Sequence, residues 1–539
     1  MTAESILLGG RPAGDQLGSP DGDVRPVLGG LTSVLFDGPS IGTAMVEPKA
    51  PDFFSDLALD RIVASITAGR SEYGLAPFFH TPLKDVRTIT YRHEVFRDLD
   101  NPVLLEDVRS FSEKMRSVRG HLEHAAKAHY LLDQQRWLLA GADVYCGAVA
   151  ELADALAVAQ VRSRGLRAIR DLLAAYTASG DFTSLLADTQ KTEADLGKVR
   201  YRLDISGRRI RVDHHTRAPD YGAEVLQSFD RFQHGTPPEH RFGTSGWFDM
   251  NHVEAEILDR VAQLYPEPFA SLDAYCQRHS GYVDETIARF DREVQVYVAY
   301  LEYIEGFRQA GLAICYPTVS DRSKEMHGRA VFDLALAKRL ADENTPIVTN
   351  DFYLADPERI LVVSGPNQGG KTTFARAIGQ MCHLASIGCP VTGTEARIFL
   401  FDRIFAHFER EEGIQDLSGK LESDLRRIHE ILEHATSDSL LVMNESFGST
   451  TLSDALFLNK QVLQLIIERD MLGVAVTFLD ELASFSEKTV SMVSTVDPDD
   501  PAVRTFNIVR RPADGLAYAW ALSQKHRLTF EGVIERIAS

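Results

Sequence analysis

The sequence predicts a multidomain protein in which an α-helical domain containing a β-hairpin is followed by an α/β domain. Three observations predict this architecture. The chain has 539 residues, which is too long for one ordinary hydrophobic core. Apolar residues recur at helical spacing in several long segments before residue 345. From about residue 346, short apolar runs alternate with helical segments, the pattern of a largely parallel sheet with helical connections.

The composition is that of a globular protein. Hydrophobic residues make up 44% and charged residues 25% of the chain, which excludes a wholly disordered or fibrous protein. The formal net charge is −20. A protein that coats nucleic acid through overall basicity is therefore excluded, and any DNA contact must be a local patch or depend on shape.

We expect a cytoplasmic protein without membrane contact. No apolar run approaches the ~20 residues that cross a bilayer, and the opening stretch MTAESILLGGRPAGDQ lacks the basic and apolar regions of a secretory signal. The five cysteines are scattered, and none forms a CxxC pair. This pattern favours reduced thiols over a disulfide framework or a zinc site.

The first two predicted segments differ in texture. Residues 1–49 are rich in Gly, Pro and Asp without a lasting period, so they are predicted to be a mobile tail. Residues 50–345 are predicted to form a helical core and lever domain. Leu59, Ile62 and Ile66 mark its first helix, and further apolar stripes follow on both sides of the hairpin.

The hairpin is predicted between Lys198 and Arg217, within a possible clamp-like insertion near 198–245. Apolar and polar residues alternate on both sides of Ser206-Gly207, which suits a turn. Six basic and two acidic side chains lie between Lys198 and His215. Two interpretations remain open, a contact with the DNA backbone and an ordinary solvated strand face.

Residues 346–539 are predicted to form a P-loop ATPase domain. Gly365, Gly370, Lys371 and Thr372 satisfy G-x-x-x-x-G-K-[ST], with an apolar strand before the motif and a helix after it. The loop N–H groups and the helix N-terminus can hold the phosphates of ATP, Lys371 can reach the β- and γ-phosphates, and Thr372 can bind Mg²⁺. The alternative is a glycine-rich turn without a ligand.

A second polar pair ends the apolar strand SLLVMNES. Glu445 is the candidate catalytic residue beside Lys371, because a carboxylate there can orient or deprotonate an attacking water. Asn444 stands where a metal-supporting carboxylate is usual, and its neutral amide would support Mg²⁺ less strongly. Slow hydrolysis is expected for that reason. The alternative interpretations of this pair are a buried capping Asn and a surface Glu.

These motifs resemble those of the MutS family of DNA mismatch-repair ATPases. SGPNQGGKTT is similar to the family's phosphate loop, including Pro366, Asn367 and Gly369, and LLVMNESFGSTTLSDA is similar to its second motif, with Glu445 at the catalytic glutamate. The resemblance extends to Asp402-Arg403-Ile404-Phe405 and, more weakly, to the helical domain. It implies a related ABC-type ATPase domain, DNA as a partner, and a homodimer formed through the ATPase domains.

Three departures limit the resemblance. We expect no N-terminal mismatch-recognition domain, because the core pattern begins almost at once. Phe478 stands where the family has a His that senses the γ-phosphate. The stretch LSGKLE places Ser418 and Gly419 near the family's serine that meets the partner's ATP, although Ser418 as an ordinary helix cap is equally open. The nucleotide-binding candidates are therefore Gly365, Pro366, Asn367, Gln368, Gly369, Gly370, Lys371, Thr372, Thr373, Ser418 and Gly419.

Two functions compete at this point. The first is a MutS-like, ATP-dependent DNA-binding protein in repair or recombination that couples hydrolysis to dimer and lever rearrangement, without direct mismatch reading. The second is a nucleotide-gated scaffold with little hydrolysis that binds a protein or RNA partner. Asn444 and Phe478 favour the second, whereas the phosphate loop and the resemblance favour the first.

Overall fold

The computed structural model describes residues 33–37, 49–215, 250–343, 345–408, 419–500 and 503–513. These residues belong to two compact units. The helical unit contains Val103–Gln160 and the described part of Ala168–Asp291, and the sheet unit contains the described parts of Gly30–Pro102, Val161–Arg167 and Arg292–Ser539. The predicted combination of helical and mixed α/β structure is confirmed.

Helices dominate the chain before residue 310, and strands dominate after it. The α-helices are α1 Phe53–Asp56, α2 Leu59–Thr67, α3 Ala76–His80, α4 Val86–Leu99, α5 Pro102–Lys127, α6 Leu131–Val158, α7 Arg164–Thr177, α8 Gly180–Leu196, α9 His252–Leu264, α10 Pro266–His279, α11 Glu285–Gln309, α12 Leu334–Asp342, α13 Lys371–Ser386, α14 Lys420–His434 and α15 Leu452–Glu468. The strands are β1 Tyr201–Ser206, β2 Arg209–His214, β3 Ile314–Cys315, β4 Thr318–Ser320, β5 Met326–Val331, β6 Asn350–Leu354, β7 Ile360–Ser364, β8 Val391–Thr392, β9 Glu395–Phe399, β10 Ile404–Phe408, β11 Leu440–Asn444, β12 Leu472–Val476, β13 Thr489–Val496 and β14 Arg504–Arg510. Short 3₁₀ helices occupy Ser71–Tyr73 and Asp480–Ser484.

The helical unit is built around buried aromatic side chains. Tyr145 is fully buried, and its ring lies 5.5 Å from that of Tyr282. A Cβ at Gly141 would lie 2.4 Å from the Tyr282 hydroxyl, so only glycine allows this close approach. α9 begins at Asn251, whose side chain accepts from the N–H groups of Val253 and Glu254 in a capping box.

The predicted hairpin is confirmed as the antiparallel pair β1–β2. Its turn lies at Gly207, which has a φ of +59° and therefore adopts a conformation that suits glycine. Every residue of β1 is exposed, including Ile205 at 71%. Residues 216–249 lie outside the described residues, and so does most of the possible clamp-like insertion.

A six-stranded sheet organises the sheet unit. Its order is β10-β11-β12-β7-β13-β14, and each neighbouring pair is parallel except β13–β14. The predicted largely parallel sheet is confirmed. Asn444 pairs with Phe408 on one side and with Val476 on the other, and Val476 pairs with Val363. The carboxyl ends of four strands therefore lie side by side at one edge of the sheet.

The apolar run RIFLFDRIFAHF does not form a single strand. β9 belongs to a four-stranded sheet of order β4-β9-β5-β6, whereas β10 is an edge strand of the six-stranded sheet. The segment between the two strands begins with buried Leu400 and Phe401 and ends with exposed Asp402 and Arg403, so only the charged pair marks the break in the apolar run.

Helix α13 lies almost entirely inside the sheet unit. A Cβ at Gly379 would lie 2.7 Å from a methyl carbon of Leu57, so glycine permits the chain around α1 to pack closely on the helix. Gln380 donates to the carbonyl oxygen of Leu57 at 2.9 Å and accepts from the N–H of Leu334 at 3.0 Å. Contacts with Leu57 and Leu334 therefore help to fix the orientation of the helix that follows the loop.

The expectation of a mobile tail is wrong for Ser33–Asp37. Ser33, Val34 and Leu35 are each at most 1% exposed. Because the residues around them are rich in Gly and Pro, the composition did not indicate that side chains of the sheet unit bind this short apolar stretch. Residues 1–32 and 38–48 lie outside the described part of the chain.

Candidate nucleotide-binding site

The loop from Gly365 to Gly370 connects the buried strand β7 to α13. Gly365 and Gly370 have φ values of +115° and +88°, which side chains rarely adopt. A Cβ at Gly365 would lie 2.8 Å from the carbonyl oxygen of Ser494. Ser494 is itself fully buried, and its hydroxyl donates to the carbonyl oxygen of Gly369 at 2.7 Å. The loop is thus supported from β13, a contact that the sequence did not reveal.

Lys371 lies under this loop. Its ammonium donates to the carbonyl oxygens of Gly365 and Pro366 at 2.9 and 3.2 Å. It also lies 3.9 Å from a carboxylate oxygen of Glu445. Burial lowers the pKa of Lys371, and the charge of Glu445 opposes that shift. The structure therefore brings the two predicted catalytic residues together.

Thr372 and Asn444 meet one helical position further along. The Thr372 hydroxyl donates to the side-chain oxygen of Asn444 at 2.7 Å. Mg²⁺ prefers oxygen ligands and usually keeps several waters and substrate phosphate oxygens. Two adjacent oxygen donors beside a phosphate loop fit that requirement. Among the described residues, no cluster of three or more His, Cys, Asp or Glu side chains could hold a metal ion.

The turn that carries Glu445 has an unfavourable backbone conformation. Glu445 and Phe447 have φ values of +51° and +62°, which cost a residue other than glycine roughly 1–3 kcal/mol each. The Glu445 N–H donates to the carbonyl oxygen of Val476 at 2.9 Å, and the Phe447 ring is 1% exposed. Packing and hydrogen bonds around the turn therefore hold a conformation that its sequence does not favour.

A buried polar group fixes the middle of this turn. The Ser446 hydroxyl lies 3.0 Å from Nδ1 of His407, and the Ser446 carbonyl oxygen accepts from Asn459 at 3.3 Å. His407 is fully buried, and its Nε2 lies 3.5 Å from a carboxylate oxygen of Asp424. The sequence predicts no role for His407 or Asn459. The parallel pairing of β10 with β11 brings His407 to the turn.

A cavity of about 490 Å³ opens beside the loop, within the roughly 300–1,000 Å³ typical of ligand pockets. Its lining includes the P-loop residues from Gln368 to Thr373 together with Glu445. Apolar side chains extend it away from the loop, among them Leu340, Val348 and Phe506. Phe506 is 47% exposed and lies over Gly370, where an added Cβ would approach its ring to 3.6 Å. Phe506 offers a flat apolar surface that belongs to none of the predicted motifs.

Of the other residues singled out from the sequence, Asn367 lies in the loop itself, whereas Gly419 and Phe478 lie elsewhere. The carbonyl oxygen of Asn367 accepts from Arg504 at 3.1 Å. Gly419 is the N-cap of α14 and is not among the residues that line the cavity. Ser418 lies outside the described residues. Phe478 is 48% exposed, one residue after Thr477, whose N–H donates to the carbonyl oxygen of Val363 at 3.0 Å.

Residues 361–505 match the family described as MutS domain V. The predicted resemblance to the MutS family is confirmed over these residues. The matched residues contain the loop, Lys371, Asn444 and Glu445. Within the described residues, no helix is long and apolar enough to cross a membrane.

Curated relatives also match part of the chain. The Endonuclease MutS2 of Thermus thermophilus is 31% identical over 191 residues, which is 35% of this chain and 25% of the relative. The DNA mismatch repair protein MutS of Fervidobacterium nodosum is 26% identical over 214 residues, 39% of this chain and 24% of the relative. The chain thus spans about a quarter of the length of these relatives.

Proposed function

We propose that this chain is a MutS-like, ATP-dependent DNA-binding protein that hydrolyses ATP to ADP and phosphate. In this proposal, the nucleotide state rearranges a homodimer and its helical levers on DNA during repair or recombination. The observation that carries the proposal is that two pairs of side chains, one for catalysis and one for the metal, lie together at one edge of the sheet. Lys371 lies 3.9 Å from Glu445, and Thr372 lies 2.7 Å from Asn444.

The loop and the helix N-terminus bind the phosphates. The N–H groups of the loop and of the first turn of α13 donate to phosphate oxygens, and Lys371 supplies a positive charge to the β- and γ-phosphates. The apolar end of the cavity receives the nucleoside, with Phe506 available to pack against the base. The cavity therefore accounts for both the polar and the apolar parts of ATP.

Glu445 acts on the attacking water. Its carboxylate orients the water and accepts its proton as the water oxygen bonds to the γ-phosphorus and the bond to the bridging oxygen of ADP breaks. Mg²⁺, held by Thr372 and, directly or through water, by Asn444, would neutralise charge on the β- and γ-phosphates. Val476, His407 and Asn459 keep the Glu445 turn in position. Because Asn444 adds no negative charge, we expect weak metal support and slow turnover.

The hairpin is the candidate DNA contact. β1 and β2 are largely exposed and carry Arg202, Arg209 and Arg211 on the face opposite Ile205. Asp204 pairs with Arg202 at 2.6 Å, which reduces but does not cancel the positive charge of this region. Contacts of this kind position a protein on the phosphate backbone without reading sequence.

The proposed dimer completes the nucleotide site. α14 begins at Lys420 after Gly419, and its N-terminus can donate N–H groups to a phosphate of the partner's ATP. A composite site of this kind explains why Gly419 does not line the cavity of its own chain. Mass in solution as a function of nucleotide tests this part of the proposal.

The test is ATP turnover by the purified protein with no DNA and with duplex, branched or single-stranded DNA, while mass in solution is followed. The proposal predicts turnover that rises with DNA and accompanies dimer formation. ATP binding without turnover and without a response to any DNA would contradict it. Arg209→Glu/Arg211→Glu should weaken the DNA response, whereas Arg322→Glu, which changes an exposed arginine outside the hairpin, should leave it unchanged.

A further inference from the structure

Ser33–Asp37 lies on the sheet unit as a buried peptide with its own internal bend. The Ser33 hydroxyl accepts from the N–H groups of Leu35 and Phe36 at 3.0 and 3.2 Å, a local turn that serine favours. Val34 and Leu35 are at most 1% exposed. A mobile surface tail would be exposed, whereas this segment is enclosed. The surrounding side chains therefore form a binding site for it.

Side chains bind the backbone of this peptide. The hydroxyls of Tyr91 and Tyr297 donate to the carbonyl oxygens of residues 33 and 34 at 2.7 and 2.5 Å, and Nε of Arg92 donates to that of residue 35 at 3.1 Å. Burial raises the pKa of Tyr91 to about 12, so its hydroxyl stays protonated. Three successive carbonyl groups are thus bound by three side chains, which satisfies the buried backbone without pairing it to a strand or helix.

Charged side chains define the two ends of the peptide. A Glu293 oxygen accepts from the Ser33 hydroxyl at 2.6 Å and from the next backbone N–H at 2.9 Å. At the other end, Arg164 and Arg87 lie 2.5 and 2.9 Å from the Asp37 carboxylate. A hydroxyl residue at the first position and a carboxylate at the fifth position therefore fix the register.

The apolar centre also has a defined partner. Phe36 packs against the buried cluster of Leu83, Ile89 and Leu400, and the Arg92 guanidinium lies 5.2 Å from the centre of its ring. Aromatic burial together with a cation over the ring adds both affinity and selectivity. An acidic or a small residue at this position would lose both contributions.

We propose that this groove is a peptide-binding site for segments of the pattern Ser-apolar-apolar-Phe-Asp, occupied here by the chain's own residues Ser33–Asp37 as a separable ligand. Its wall is formed by Tyr91, Arg92, Arg164, Glu293 and Tyr297. Release of the segment would leave the buried Glu293 and Arg92 without these partners, which is costly unless water or another peptide replaces them. The groove therefore favours a matching peptide over an empty state.

The groove also reaches the helix of the phosphate loop. Arg92 donates to the carbonyl oxygen of Ile387 at 2.7 Å, directly after α13 ends. A Cβ at Gly388 would lie 3.0 Å from Cδ of Arg92, so the arginine packs closely on this helix end. One side chain thus contacts both the bound peptide and the helix that begins with Lys371.

The test uses the full chain with a protease recognition sequence inserted between Gly42 and Thr43, so that the protein folds before it is cut. After cleavage, the proposal predicts that the released N-terminal fragment co-elutes with the rest of the chain. A labelled synthetic peptide of residues 31–39 should then exchange into the groove. Peptides carrying Leu35→Asp or Asp37→Lys should bind on the order of 10-fold more weakly or worse.

The uncut chain is the matched control and should bind little labelled peptide, because its groove is filled in cis. As a second measurement, uncut chain carrying Leu35→Asp should gain peptide binding while circular dichroism shows that it remains folded. A cut chain that loses its fragment, stays folded and binds no peptide at millimolar concentration would overturn the proposal. Equal binding by cut and uncut chains, or of matched and altered peptides, would also overturn it.

Discussion

Two turns meet at the carboxyl edge of the large sheet and keep their shapes in different ways. The loop after β7 places its most unusual φ values on Gly365 and Gly370, although Gln368 also has a φ of +61°. The turn after β11 places positive φ values on Glu445 and Phe447. The conformation of the first turn is thus largely determined by its own glycines, whereas that of the second depends on the residues packed around it. The first turn can therefore be recognised from the sequence, and the second cannot.

The largest expected effect comes from the loop. Lys371→Ala should abolish nucleotide binding, because it removes the buried ammonium that we propose binds the β- and γ-phosphates. Titration with a fluorescent ATP analogue measures this directly. Lys338→Ala, at an exposed lysine of α12, is the control and should bind as the unaltered protein does. Tight ATP binding by the Lys371 variant would place the nucleotide elsewhere.

Gly365→Ala should show how far the loop depends on glycine. The change combines a φ of +115° with a Cβ 2.8 Å from the backbone of Ser494. We expect a loss of stability of about 1–3 kcal/mol, seen as a lower thermal midpoint, with weakened ATP binding. Gly147→Ala adds a Cβ inside α6 where nothing lies within 4 Å; it should leave ATP binding unchanged and raise the midpoint slightly, because Ala favours the helix by about 1 kcal/mol over Gly. An unaltered midpoint for Gly365→Ala would show that the loop relaxes easily.

His407→Ala tests the packing of the other turn. Without the His407 ring, the Ser446 hydroxyl loses a neighbour and the Glu445 carboxylate is less well positioned. We expect kcat to fall on the order of 10-fold with the KM for ATP nearly unchanged. His407→Asn retains a polar group near the Nδ1 position and should recover part of the loss. A rise in KM without a change in kcat would contradict a positioning role.

Asn444→Asp should have the smallest effect of the four, and in the opposite direction. A carboxylate in place of the amide adds a charge near the proposed Mg²⁺ and leaves the oxygen that accepts from Thr372. We expect turnover to rise, by less than about 10-fold, and more steeply at low Mg²⁺ concentration. Asn251→Asp, at the N-cap of α9, is the control, because Asn and Asp cap a helix about equally well. Unchanged turnover at every Mg²⁺ concentration would mean that Asn444 does not limit the reaction.

The extent of sequence prediction follows the same division. The loop from Gly365 to Thr372 could be predicted because its residues are contiguous and its chemistry needs their order. Glu445 could be placed because it ends a buried strand, and strands of a parallel sheet end at one edge. The hairpin could be predicted because alternation and a glycine turn are local signals. These features share one property, namely that a short window contains all the information.

The remaining features depend on which strands become neighbours. Ser494 reaches the loop because β13 pairs with β7, and His407 reaches the Glu445 turn because β10 pairs with β11. Phe506 enters the cavity from an antiparallel edge strand. Ser33–Asp37 is bound by side chains that are far away in sequence. Its local composition alone therefore predicted a tail. A single sequence shows none of these pairings.

The most direct test of the central claim compares Glu445→Gln with the unaltered protein in a single experiment. ATP binding and ATP turnover are both measured at saturating Mg²⁺. If Glu445 handles the attacking water, the variant should bind ATP with similar affinity, while turnover falls by about 10²–10⁴-fold. Turnover that survives the change, with binding intact, would show that Glu445 is not the catalytic residue and that the edge of the sheet serves another purpose.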